Sequence, residues 1–170
     1  TKPSGTTVSY ATAFGHQCAK ISNGCVYNLK GTGMGITNGG ALSIWTSMAS
    51  NPPTSSGDFK CFANLGSSSA PFAIGFRLGR YAIAYTPSRG NAIISESSVG
   101  VDSSWWRMLT LNYDATNKKV QLWINDKLEI EDNLTTTLSK GKGTVVNGQN
   151  ATNGTPDGMP DVNCRYRSLT

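Results

Sequence analysis

Three glutamates, a single histidine, four cysteines and a tryptophan set among amides are the residues of this chain whose chemistry could build a site. Cleaving a glycosidic bond needs two carboxylates flanking it, one as acid and the other as base or nucleophile. Glu129 and Glu131 lie on one side of their strand, but a two-residue spacing leaves no cleft between them. A solvated acidic edge is the plainer reading. A polysaccharide lyase would want a base near Tyr or His and a group that neutralises the uronate. His16, between Gly15 and Gln17, has no motif around it and reads as an ordinary loop residue. No Gly-x-Ser-x-Gly elbow and no His-rich metal motif occurs. No catalytic residue is assigned, and the chain is expected not to be an enzyme.

Recognition is the chemistry that remains. Aromatic faces stack on sugar rings, while amides, carboxylates and hydroxyls bond the sugar hydroxyls. Trp123 falls opposite Leu122 and Ile124 on its strand, in phase with Gln121 and Asn125. The preceding strand offers Thr110 and Asn112 on the same side. A large aromatic among polar residues on an outward sheet face is the expected ligand platform, with a covering loop as the alternative. Trp105 and Arg77 are the second candidates. Trp105 is a second tryptophan directly before Trp106 at the head of the hairpin; Arg77 shares its strand side with the small residues Ala73 and Gly75.

These side chains need strands to position them. Leu109, Leu111 and Tyr113 alternate with Thr110 and Asn112, and Val120, Leu122 and Ile124 alternate with Gln121 and Trp123. Two period-2 runs around the polar turn 114–119 predict an antiparallel hairpin with one buried face. A second turn at Asn125-Asp126-Lys127 leads into Leu128-Glu129-Ile130. Phe72 to Leu78 and Tyr81 to Tyr85 predict another hairpin, with its large residues on one side and Ala73, Gly75, Arg77, Ala82 and Ala84 on the other. Such a small-residue face admits close approach by a loop, the favoured reading, or by a ligand. Further strands are expected at 6–10 with 13–14, at 25–29, 40–45, 59–65 and 91–95, with loops at 31–35 and 51–57.

Composition agrees with an all-β, turn-rich chain. Only 15% of the 170 residues are charged, and Gly alone numbers 19. The length suits one β-sandwich and is short for two ordinary domains. No apolar run is long enough to cross a bilayer as a helix, so no membrane insertion is expected. The chain starts at Thr1 without a signal-peptide pattern, as a mature form or an excised domain would. The net charge of +5 is scattered and forms no nucleic-acid arm. A bland solvated surface is the first reading of that charge, and a surface for anionic glycans the second.

Cys18, Cys25, Cys61 and Cys164 allow three pairings, among which sequence does not choose. Their spacing suits neither a redox pair nor a zinc site. An extracellular, disulfide-bonded domain is the reading adopted, with buried thiols as the alternative. A bridge between Cys18 and Cys25 would close a turn-forming loop and leave Cys61 to join Cys164; this pairing is the one expected. Asn133, Asn150 and Asn153 each begin an N-glycosylation sequon.

Three stretches carry a resemblance to a known family. A Trp, a short alternation ending in Tyr113-Asp114, a polar turn, and a strand ending in Asn125-Asp126 resemble the central hairpin of laminin-G-like domains. These belong to the concanavalin A-like jelly-roll group, which also holds the pentraxins. Gly40 to Trp45 resembles an early strand of that family. Met159, Asp161, Val162, Tyr166 and Leu169 stand in register with its closing strand. Arg107-Met108 departs from the His-His pair often found there, and Trp105 is an extra Trp before the usual one, Trp106.

The resemblance covers nearly the whole chain. It implies an all-β fold: an antiparallel two-sheet β-sandwich of the concanavalin A-like jelly-roll type, one domain over 1–170, excised from a larger protein. It implies a core position for Trp106. The Glu-x-Asp-x-x-Glu strand of the glucanases of this fold is absent. Members often hold calcium through loop oxygens, for which Asp102, Asp114, Asp157 and Asp161 are available. No loop concentrates three acidic residues, so no cofactor is expected, with calcium kept as the alternative. The expected function is that of a lectin-like module of a cell-surface, secreted or virion-surface protein, its partners glycans or glycoproteins. The alternatives are a structural or protein-binding laminin-G-like module and a polysaccharide-cleaving enzyme.

Overall fold

The alternating runs fold as strands because each can bury one face and leave the other to solvent. A computed structural model describes residues 9–13, 15–21, 29–30, 36, 38–48, 51–52, 54, 57–66, 70–103, 105–139, 144–145 and 162–165. The strands are β1 (Ser9–Ala13), β2 (His16–Ile21), β3 (Leu29–Lys30), β4 (Gly40–Met48), β5 (Lys60–Asn64), β6 (Phe72–Arg77), β7 (Arg80–Tyr85), β8 (Ile93–Gly100), β9 (Arg107–Asp114), β10 (Lys119–Ile124), β11 (Lys127–Asn133), β12 (Thr144–Val145) and β13 (Val162–Arg165). No helix occurs among the described residues.

A seven-stranded sheet runs β1-β2-β13-β4-β9-β10-β11, and a four-stranded sheet runs β5-β6-β7-β8. β12 and β3 form a small ladder of their own. Every pairing is antiparallel. The two large sheets share one apolar core, so the architecture is an all-β antiparallel sandwich. Leu42 and Ile44 of β4, Leu109, Leu111 and Tyr113 of β9, and Val120, Leu122 and Ile124 of β10 meet Phe72, Ile74 and Phe76 of β6 and Tyr81, Ile83 and Tyr85 of β7. Burial of each large apolar side chain contributes about 1.5–3 kcal/mol. Trp106 is buried at the head of β9, as its position implied.

Two tight turns set the hairpin registers. Leu78 and Gly79 join β6 to β7, and Asn125 and Asp126 join β10 to β11; all four have positive φ, as a type I′ turn demands. On the outer face of the four-stranded sheet, Ala73, Ala82 and Ala84 are buried together with Phe59 and Cys61, and Ile94 packs against them. Close approach explains Gly75. A Cβ there would collide with the carbonyl oxygen of Lys60 on β5 and press on the Phe59 ring.

The structure changes several expectations. His16 is the first residue of strand β2, paired with Ala13, rather than a loop residue. Cys18 sits inside that strand, so the stretch after it is not wholly turn; Cys25 lies outside the described residues. The expected Cys61–Cys164 bridge is not formed. Cys61 lies opposite Gly75 on the outer side of the four-stranded sheet, whereas Cys164 belongs to β13 in the other sheet. Packed sheets stand about 10 Å apart, beyond the roughly 7 Å a disulfide spans between Cα atoms. The opening strand is Ser9–Ala13, with 6–8 outside the described residues, and of the expected strand 25–29 only Leu29 is described. The strand expected at 91–95 extends to Gly100.

Candidate functional site

The residues expected to form a platform fall on the outer face of the seven-stranded sheet. Ladder pairing sets Ala41, Asn112, Gln121 and Glu131 in one row across β4, β9, β10 and β11. The next row is Ser43, Thr110, Trp123 and Leu128. These side chains face outward because their strand neighbours Leu42, Leu109, Leu111, Leu122 and Ile124 face the core.

Thr110, Asn112, Gln121 and Trp123 line an open depression of about 510 Å³, together with Ala41, Met108 and Asp126. Ala41 leaves room beside Asn112, Met108 adds an apolar floor, and Trp123 is half-buried among them. The four residues that alternation placed on one face are thus neighbours in space. Ala41, Met108 and Asp126 went unassigned in the sequence. Met108 and Ala41 could have been found by carrying the same alternation to both strands; Asp126 sits on a turn, where alternation has no reach.

Hydrogen bonds hold the polar row in shape. Asn112 Nδ2 donates to Gln121 Oε1 at 3.1 Å, and Gln121 Nε2 donates to Glu131 Oε2 at 2.7 Å. Lys119 Nζ meets the other Glu131 oxygen at 2.8 Å. The bonds from Lys119 and then Gln121 hold the Glu131 carboxyl below its usual pKa. The Ser43 and Thr110 hydroxyls bond each other at 2.9 Å. The row is preorganised, yet each amide keeps capacity for further bonds.

The other candidates lie apart from the depression. Asn125 does not line it: its Oδ1 accepts the Met108 N–H at 2.9 Å, and its own N–H donates to Met108 O at 2.9 Å. It serves as the clasp of the β10–β11 turn against β9. Arg77 belongs to the four-stranded sheet, where Nε donates to Gly57 O at 2.6 Å and Nη1 to Glu96 at 3.0 Å. Trp105 stands on the segment entering β9 and is 54% exposed. Asn133 is exposed at the end of β11, on the same outward side as Glu131 and opposite Lys119. Asn150 and Asn153 lie outside the described residues.

Carboxylates are mostly committed elsewhere. Glu129 is not part of a solvated edge: its side chain is only 6% exposed, held by Lys127 at 2.7 Å and near Ser98. A β-bulge at Leu122/Trp123 shifts the register beside it. Glu96 pairs with Arg77. Of the residues offered for calcium, Asp102 pairs with Arg107 at 3.2 Å, and Asp114 accepts bonds from the Asn117 backbone and side chain, which lower its pKa. Asp157 and Asp161 lie outside the described residues. Among the described residues no three His, Cys, Asp or Glu gather as a metal site.

No family model and no curated protein matches the chain. Solved structures do. The binding domain of Paraclostridial Mosquitocidal Protein 1 superposes with a TM-score of 0.69 at 12% identity, covering 96% of this chain and 43% of that one. The Ruminococcus gnavus IT-sialidase CBM40 bound to α2,3-sialyllactose gives 0.64 at 17%, covering 89% and 90%. The botulinum neurotoxin serotype D ligand-binding domain in complex with N-acetylneuraminic acid gives 0.64 at 18%, covering 98% and 42%. The chain therefore spans less than half of each toxin domain and most of the carbohydrate-binding module. At such identities the likeness establishes the fold: this chain shares the β-sandwich of a carbohydrate-binding module and of the binding domains of toxins.

Proposed function

We propose that the chain is a non-catalytic glycan-binding module that takes a sugar on the outer face of its seven-stranded sheet. One observation carries the reading: a half-buried tryptophan, Trp123, lines an open depression together with Asn112, Gln121, Thr110 and Asp126. An indole face takes the C–H face of a pyranose, and the surrounding groups bond its hydroxyls. Likeness of fold to a module solved with sialyllactose and a toxin domain solved with N-acetylneuraminic acid supports sugar recognition as the use of such a face.

Binding rather than cleavage fits the carboxylates, since all three glutamates are ion-paired. A shallow site of this kind binds with a Kd on the order of 10 μM to 1 mM, because little area is buried and ordering the sugar costs entropy. Adhesion then depends on several copies acting together. A role as the sugar-recognising part of a secreted or surface-attached protein follows from this reading. The laminin-G-like and concanavalin A-like affiliation stays a proposal beside it, as does the place of residues 1–170 as one domain of a longer polypeptide. The exposed Trp105 favours a second reading, docking of a protein partner.

A glycan array probed with the protein, alongside Asn112→Ala and Gln121→Ala variants, tests the proposal. Binding of a defined set of glycans that weakens in both variants is the expected result. An array without a bound glycan, or binding unchanged in both, overturns it.

A further inference from the structure

Accepting the depression around Trp123 as a sugar site, we infer that Asp126 makes it selective for neutral sugars and against sialylated, uronic or sulfated ones. The argument is a charge and donor count of the residues that line it. Thr110 and Ala41 are uncharged, and Asn112 and Gln121 are bonded to each other. Of the neighbouring cations, Lys119 is paired with Glu131 and Lys127, next in the chain to Asp126, with Glu129. Asp126 is the one ionisable side chain in the lining, and among the described residues its carboxylate has no hydrogen-bond or ion-pair partner. Asp126 is the second central residue of the type I′ turn between β10 and β11, where it is exposed and borders the depression.

An unpaired carboxylate accepts bonds from sugar hydroxyls, which are donors, and repels a carboxylate or sulfate brought within a few ångströms. The scattered net charge of +5 works the other way, raising the local concentration of anions around the whole molecule. At close range the single unpaired anion outweighs that diffuse field, which salt screens over about 10 Å. The class of ligand thus differs from the sialylated ones seen in the two sugar-bound neighbours, despite the shared fold.

The experiment is a glycan panel of matched neutral and anionic pairs, run in buffer with a chelator, followed by titration of the best pair. Bound glycans are expected to be neutral at the residue that occupies the site. Each neutral member should bind about three- to tenfold tighter than its anionic partner, a ratio that narrows with added salt. Asp126→Asn should weaken the neutral ligand and bring the ratio towards one. A bound set made of anionic glycans, or a ratio untouched by Asp126→Asn, overturns the inference and leaves the glycan-binding reading standing. A panel on which nothing binds removes both.

Discussion

The hydroxyl of Tyr85 on β7 donates a 2.9 Å hydrogen bond to Asp132 Oδ2 on β11, tying the four-stranded sheet to the edge of the seven-stranded one. Ser95 on β8 donates its hydroxyl to the same oxygen. Two donors converge on one carboxylate where the sandwich would otherwise open along an unpaired edge. The edge strand β11 is thereby kept beside β8, and with it the turn that bears Asp126.

Removing that tie should loosen the sandwich measurably. Hydrogen bonds to charged groups contribute more than neutral ones, so Tyr85→Phe should cost about 1–2 kcal/mol, with Ser95 still serving the carboxylate. Asp132→Ala should cost more, because it leaves two part-buried hydroxyls without their acceptor. Urea denaturation of both single variants and the double variant measures the coupling. Additive losses would show that the two residues act independently.

Alkaline pH should unfold the protein by a route that the core dictates. Burial pushes the Tyr81 hydroxyl up to about 12, with Arg107 nearby pulling part of the way back. Burial, then the Asp132 bond, raises Tyr85 as well. A phenol whose pKa is raised on folding stays protonated in the native state while the unfolded chain ionises near 10. Stability is therefore complete below about pH 10 and is lost as pH rises through the folded values. Tyr81 alone accounts for about 2–3 kcal/mol between pH 10 and 12, given its 2% exposure. Denaturation at pH 8, 10 and 12 should show this fall, and Tyr81→Phe should flatten part of it. A wild type equally stable at pH 8 and 12 would contradict the assignment.

Alternation made the sheets legible from sequence, and with them the outward face that bears the candidate site. Leu109, Leu111, Leu122 and Ile124 fix the inward face, so Thr110, Asn112, Gln121 and Trp123 had to share the outward one. What stayed hidden depends on partners far away in the chain. Arg77 was free to be a ligand in sequence terms, but Gly57 and Glu96 claim it across about twenty residues on each side. Asn125 shared the phase of Trp123 only until the turn, where positive φ re-aims its amide at Met108. The insertion of β13 between β2 and β4 has no local signal, and without it the separation of Cys61 from Cys164 could not be read. The bulge beside Glu129 is equally silent in its sequence.

Leu78 is a place where the chain is not at its stability optimum. It is a γ-branched residue at φ 50, the first central position of a type I′ turn, and 39% exposed. An L-residue with a Cβ loses roughly 1–2 kcal/mol in the left-handed region, and Asn tolerates it better. Leu78→Asn gives the Asn-Gly pair that such turns prefer. The variant should gain about 1 kcal/mol, seen as a higher melting temperature with an unchanged fold. A loss instead would mean that the Leu78 side chain makes packing contacts outweighing the backbone strain.

Trp123 separates a binding surface from a second core. Trp123 is half-buried on the outward face, where it lines the depression with Met108 and the polar row, with Leu122 and Ile124 turned the other way into the sandwich. A ring that packs only on its own sheet contributes modestly to folding, so Trp123→Ala should cost about 1 kcal/mol. That is well short of the 3–5 kcal/mol typical of deleting a core aromatic such as Trp106. The same substitution removes the stacking surface and should abolish glycan binding. Trp123→Phe, which keeps a smaller aromatic face, should retain part of the affinity. Melting and binding are read on the same samples. A Trp123→Ala protein that unfolds would make the ring structural, while one that folds and still binds would move the site to the loops around Trp105.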